Sequence, residues 1–137
     1  MAVASFLDTN VLLYALSTDP AESAKRDVAR GLLARRDWGL SIQVLQEFYV
    51  NATRRPKPAL GHDDAVAMIR NLLRRPLVVN DGHLLLAALQ WKERARLSFW
   101  DASIVAAAQV LGASVLCTED IQDGQEFDGL RVVNPFS

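Results

Sequence analysis

The sequence holds a single cysteine, Cys117, among 137 residues. One thiol cannot close an internal disulfide, and the apolar run around it marks it as a small buried hydrophobe. Histidine is nearly as scarce, with only His62 and His83. Both fall near predicted helix starts, where they read as surface or capping residues, and this argues against a zinc site. No run of about 18 apolar residues exists, so no segment is suited to crossing a membrane. The chain does not open on a charged segment followed by a long apolar stretch. A signal peptide is therefore not expected, and a cytoplasmic location is. The net charge of −1 lacks the basic excess of a general nucleic-acid binder. Repeats, low-complexity tracts and linkers are missing too. What remains is a half-apolar chain of a length that predicts one domain over residues 1–137 around one core.

Charge is unevenly spread. Residues 1–75 carry eleven Lys+Arg against eight Asp+Glu, and residues 76–137 carry four against eight. Such an asymmetry suits a polyanion near one part and a cation near another.

The most informative stretch is Val3 to Tyr14. An apolar run, Val3 to Leu7, stops at Asp8. Two capping types, Thr9 and Asn10, follow, and then Val11 to Tyr14. This is the pattern of a buried strand, a turn and a helix start. Further along, Ala24, Val28, Leu32 and Leu33 recur at helical spacing and predict a helix over roughly 21–36. Trp38 to Ile42 reads as a strand and Ser41 as the cap of the next helix, with Val44, Leu45, Phe48 and Tyr49. Arg54, Arg55 and Lys57 lie in a proline-broken loop. A helix follows with Val66, Ile69, Leu72 and Leu73 inside and Arg70, Arg74 and Arg75 outside or at its end. After a short strand at Leu77 to Val79, Asp81 caps a helix carrying Leu84, Leu85, Ala88 and Leu89. Ser98 opens a helix through Ile104, Val105 and Ala108, closed by Gly112. Ala113 to Cys117 and Val132 to Val133 complete the strands, with a turn at Asp123-Gly124. Strands alternating with helices predict an α/β fold with a central parallel sheet of about five short strands.

Ligand sites of open α/β sheets lie beyond the carboxyl ends of the strands. Asp8 and Asp120 both follow strand ends. Asp101 shares a helix face with Ile104, Val105 and Ala108, so it lies along the apolar stripe. Glu47 sits at the margin of its helix's stripe. Each acid also has an ordinary role: a helix cap for Asp8, a turn for Asp120, a Ser-x-x-Asp cap for Asp101, a solvated glutamate for Glu47. Convergence is what would give them a different role. At ~6 Å and an effective dielectric of ~20, each pair of charged carboxylates costs roughly 3 kcal/mol. Protonation or a cation must relieve that. Oxygen-only ligands suit Mg²⁺ or Mn²⁺.

These residues resemble a PIN domain, and within that group a VapC-type toxin of a toxin–antitoxin pair. The resemblance rests on Phe-Leu-Asp-Thr-Asn-Val-Leu at 6–12, Gln-Glu-Phe-Tyr at 46–49, Phe-Trp-Asp-Ala-Ser-Ile-Val-Ala-Ala-Ala at 99–108, Val-Leu-Cys-Thr-Glu-Asp at 115–120 and Val-Asn-Pro-Phe at 133–136. It implies a three-layer α/β/α fold and a Mg²⁺-dependent endoribonuclease that leaves a 5′-phosphate and a 3′-hydroxyl. By the same resemblance, Asp8, Glu47, Asp101 and Asp120 are the catalytic acids, with Asp8, Asp101 and Asp120 as metal ligands. Thr9, Asn10, Thr118 and Asp123 support them, and Asp123 competes with Asp120 for the fourth acidic position. An antitoxin partner and a homodimer, formed through the apolar early helices, are also implied. RNA contact falls to Arg54, Arg55 and Lys57, and after them to Arg35, Arg36, Arg74 and Arg75. Trp38, Trp91 and Trp100 are expected in the core, with base stacking as the alternative. Other readings are a PIN-type nuclease of RNA processing and a non-catalytic acidic binding module. A receiver-like domain would need a lysine after a late strand, and no lysine follows Lys92.

Overall fold

A computed structural model describes residues 3–137. The chain runs β1 (Ser5–Leu7), α1 (Thr9–Ala15), a 3₁₀ turn (Pro20–Glu22), α2 (Ser23–Ala34), β2 (Trp38–Ser41), α3 (Ile42–Ala52), α4 (His62–Leu72), β3 (Leu77–Val78), α5 (Gly82–Ala95), α6 (Phe99–Leu111), β4 (Val115–Cys117), β5 (Glu126–Phe127) and β6 (Leu130–Val133). The six strands form one sheet in the order β3-β2-β1-β4-β6-β5. All pairings are parallel except β5 with β6. The expected five parallel strands are present, and β5 is the addition. It joins β6 through Asp128 and Gly129, both at positive φ (50° and 95°). An Asp-Gly pair adopts that conformation readily and makes a two-residue hairpin.

Caps set where the helices begin. Asp8, Ser41, Asp81 and Ser98 each accept a backbone N–H of the first turn that follows them. Gly112 ends α6 in the left-handed conformation. Helix α6 is the most buried, with Ala102 to Ala108 all inside. Its run of alanines lets it lie close over β1, β2, β3 and β4, and α5 packs against it. Helix α1 packs on α2 and α3, and α4 on α3. The result is an α/β/α arrangement. Its centre holds Phe6, Leu12, Leu40, Phe48, Leu116 and Val132, all fully buried. Each such side chain contributes roughly 1.5–3 kcal/mol by leaving water. Gly39 marks the tightest approach. A methyl group there would stand 2.6 Å from the Pro76 carbonyl and 2.9 Å from Leu111 Cδ2.

Several expected core positions lie outside. Val28, Leu73, Leu85 and Leu89 are exposed, because α2, α4 and α5 pack against a neighbouring helix and not the sheet, on a narrower stripe than their apolar spacing offers. Trp38 and Trp91 are buried, but Trp100 is 64% exposed. Arg75 is not a free surface cation. Its Nη2 donates to the carbonyls of Arg36 (2.8 Å) and Trp38 (2.7 Å), and its guanidinium lies 4.2 Å from the Trp38 ring centre. Arg35 is paired with Asp37 at 2.9 Å. Among the described residues, no helix is long and apolar enough to cross a membrane.

Candidate acidic site

The site begins with the register of β1 and β4. Leu7 lies opposite Cys117. The next residue of each strand, Asp8 and Thr118, therefore emerges at the same point, and Asp8 N donates to the Cys117 carbonyl at 3.1 Å. This is where the strand order departs from β1 in both directions, the crevice that α/β sheets use for ligands.

Asp8 is 4% exposed. Its Oδ1 accepts from Thr9 N at 2.7 Å and its Oδ2 from the Thr118 hydroxyl at 2.8 Å. Burial pushes its carboxyl up to about 7; those two bonds oppose the shift, and the charges of Asp120 and Glu47 add to it. Thr118 is saturated: its hydroxyl also accepts from Asp120 N (3.0 Å) and from Asn10 Nδ2 (3.2 Å). Asn10 Nδ2 donates to Asp120 Oδ2 at 3.1 Å as well, which ties α1 to the loop after β4.

Glu47 rises from the second turn of α3, half-buried. Gln43 Nε2 donates to its Oε1 at 3.1 Å and to the Trp100 carbonyl at 3.4 Å. Burial raises the Glu47 carboxyl, the Gln43 bond lowers it, and Asp120 and Asp101 raise it further. Asp101 sits in the first turn of α6, where its N–H donates to Ser98 Oγ at 3.1 Å. Burial raises its carboxyl too; the Ser98 hydroxyl opposes this and Asp120 reinforces it. Asp120 is thus felt by the other three carboxylates, Glu47 is felt by Asp8, and Asp101 by Glu47. None of the four ion pairs among the described residues includes any of them.

Asp123 stands apart from this group. Its Oδ1 accepts from Asn134 N at 2.8 Å and so clips the C-terminal segment to the loop. Asp120 and not Asp123 is the one whose charge the other three acids feel. Arg54, Arg55 and Lys57 lie beyond the C-terminus of α3. Arg55 lines a cavity of about 590 Å³ there with Tyr49, Thr53 and His62. His62 Nδ1 lies 2.9 Å from the Tyr49 hydroxyl, on the surface as expected.

Two supporting residues escape the sequence reading. Gln43 precedes Glu47 by four, the spacing of facing helical neighbours, which is the signal that points to it. Glu119 accepts the Tyr14 hydroxyl at 2.8 Å and 3.0 Å and faces Lys25 at 4.0 Å. It anchors the loop that carries Asp120 to α1 and α2, and no spacing announces it.

The donor set suits a hard divalent cation, since every group is an oxygen. Thr9 Oγ1 and Asn10 Oδ1 are buried without a partner beside Asp8, which leaves two further oxygens unspent. As the side chains stand, no three His, Cys, Asp or Glu among the described residues close around one point.

Residues 5–125 match the PIN domain family. Among curated proteins, none matches the chain. The fold is similar to a toxin–antitoxin complex from Klebsiella pneumoniae, with a TM-score of 0.72 and 19% identity over 97% of this chain and 98% of that one. It is similar to VapC20 of Mycobacterium tuberculosis, a sarcin–ricin loop cleaving toxin, with a TM-score of 0.64 and 25% identity over 85% and 92%. It also resembles DNA-bound VapBC of Salmonella typhimurium, with a TM-score of 0.65 and 21% identity over 96% and 97%.

Proposed function

The chain belongs to the PIN-domain family, and from that premise we propose that it is a divalent-metal-dependent endoribonuclease, the toxin of a toxin–antitoxin pair. The observation that carries this reading is that the charge of Asp120 reaches Asp8, Glu47 and Asp101 while no ion pair among the described residues includes any of the four. VapC20, described as a sarcin–ricin loop cleaving toxin, supports the toxin assignment.

Asp8, Asp101 and Asp120 would hold Mg²⁺ or Mn²⁺. Bound there, such an ion supplies Lewis acidity to the phosphodiester and lowers the pKa of a coordinated water. The protein's share is orientation. Thr9 N and the Thr118 hydroxyl fix both oxygens of Asp8, and Asn10 fixes Asp120. Gln43 aims Glu47, whose raised affinity for a proton suits it to take one from an attacking water. RNA approaches through Arg54, Arg55 and Lys57, since the acids alone repel it. A small antitoxin covering the acidic groove would silence the activity, and the toxin itself would form a homodimer.

The test is to sequence the 5′ ends of RNA incubated with the purified protein, with Mg²⁺ and with chelator. Cuts that need the metal are expected, along with growth arrest on expression that Asp8→Asn or Asp101→Asn relieves. If either variant is as toxic as the parent, the nuclease account is wrong.

A further inference from the structure

Trp100 stands beside the acidic edge with its indole largely in water: 64% exposed, against 4% for Trp38 and 9% for Trp91. It is held there firmly. The Phe99 ring meets it edge-on, centres 5.0 Å apart at 75°. Gln43 binds the Trp100 carbonyl and Glu47 with the same amide nitrogen. Two hollows share Trp100 and Gln43. One, of about 330 Å³, also includes Glu47. The other, of about 290 Å³, reaches Asn80, Asp81, Phe99 and Ser103.

The chemistry of the second hollow selects its guest. No lysine or arginine lines it, and Asp81 brings a carboxylate. Phosphate is therefore repelled, whereas a flat uncharged ring is not. Asp81 Oδ1 is engaged by Leu84 N at 2.9 Å, which leaves Oδ2 to accept from an incoming amine. Single-stranded RNA is commonly held by stacking its splayed bases on aromatic side chains. Resting on the ribonuclease reading above, we propose that this hollow takes one nucleobase of the RNA strand, stacked on Trp100 and read at its edge by Asp81. It thereby sets the sequence at which the strand is cut. The bases with an exocyclic amine, adenine, cytosine and guanine, are favoured over uracil.

The experiment follows tryptophan emission while short single-stranded homopolymers of A, C, G or U are added at fixed salt. The Asp8→Asn protein with Mg²⁺ keeps the RNA intact. Because Trp38 and Trp91 are buried, quenching reports on Trp100. We expect A, C and G to quench more strongly than U. Adding Trp100→Ala, with affinity then read by a labelled RNA, weakens binding about 5- to 150-fold, the loss of one base–aromatic stack. Trp100→Phe restores most of it. Asp81→Asn preserves the helix cap and moves the preference toward uracil. Equal affinity with and without the indole would overturn the proposal. So would a Trp100→Ala protein that binds RNA normally but loses a protein partner, since the hollow would then belong to that partner. Cleavage by the wild type without quenching removes the base pocket and leaves the nuclease. Quenching without cleavage does the reverse.

Discussion

Replacing Asp8 with asparagine is expected to stabilise the metal-free protein while abolishing cleavage. The Asp8 carboxyl rises from an ordinary 3.8 to about 7 in the folded chain, chiefly through burial. A shift of about 3 units at 1.36 kcal/mol each is about 4 kcal/mol. The folded pKa lies above the unfolded one. Between the two values the folded state therefore keeps a proton that the unfolded state has lost. The Asp8 contribution to stability is greatest below 3.8, falls as pH rises, and its full cost is reached above about 7. About 3 kcal/mol of it falls between roughly pH 5 and pH 8. Asparagine removes the charge and keeps an oxygen for Thr9 N. Its amide meets a Thr118 hydroxyl that already accepts two bonds, which costs about 1 kcal/mol. A net gain of about 2–3 kcal/mol near pH 8 remains. The assay is urea unfolding with chelator at the two pH values. The wild type loses stability between them and Asp8→Asn loses much less. The raised carboxyls of Glu47 and Asp101 leave a shallow slope of the same sign. Added Mg²⁺ restores the wild type by binding the folded state alone. A wild type that is flat or gains stability across this range, or a variant that is weaker near pH 8, would refute the reasoning.

The other predictions concern the surroundings of that carboxylate and the ties beneath it. Asp120→Asn lowers cleavage by tenfold or more, whereas Asp123→Asn leaves it near wild type, because asparagine can still accept from Asn134 N; initial rates on one RNA separate the two. Thr118→Val keeps the shape but strands Asp8 Oδ2 and Asp120 N and takes one of two acceptors from Asn10 Nδ2, and is expected to cost about 1–3 kcal/mol in denaturant and about 10–100-fold in activity. Arg75→Lys lowers the unfolding midpoint by the equivalent of about 1–2 kcal/mol without changing cleavage, since an ammonium cannot lie flat on Trp38 while donating to two carbonyls.

Much of the architecture was legible because local signals agreed with one another. Ser41, Asp81 and Ser98 cap the helices that their spacing announced, and Gly112 closes α6. The strands were visible as apolar runs ending at acids or turns. The hairpin of β5 and β6 was missed although its signal, Phe127-Asp128-Gly129-Leu130, was present; two residues of strand give alternation nothing to repeat. Helical spacing named Leu85 and Leu89 as apolar without telling that the sheet and α6 leave that side uncovered. For the acids, sequence order supplied the candidates. The nearness of Asp8 to the loop of Asp120 needed the register of β1 and β4, and the hold of Asn134 on Asp123 needed the fold of the C-terminal segment. Arg75 looked like a surface cation because nothing in the helix before it reveals the Trp38 ring it lies against.

The pairing of Leu7 with Cys117 also bears on the protein's synthesis. Asp8 and its partner Thr118 lie 110 positions apart, so a growing polypeptide carries one half of the crevice long before the other exists. Contacts of such long range form only once the intervening chain has been made. A nascent chain still short of β4 therefore has no crevice at all, and the acids of β1 and α3 wait in an unfinished sheet until Thr118 arrives.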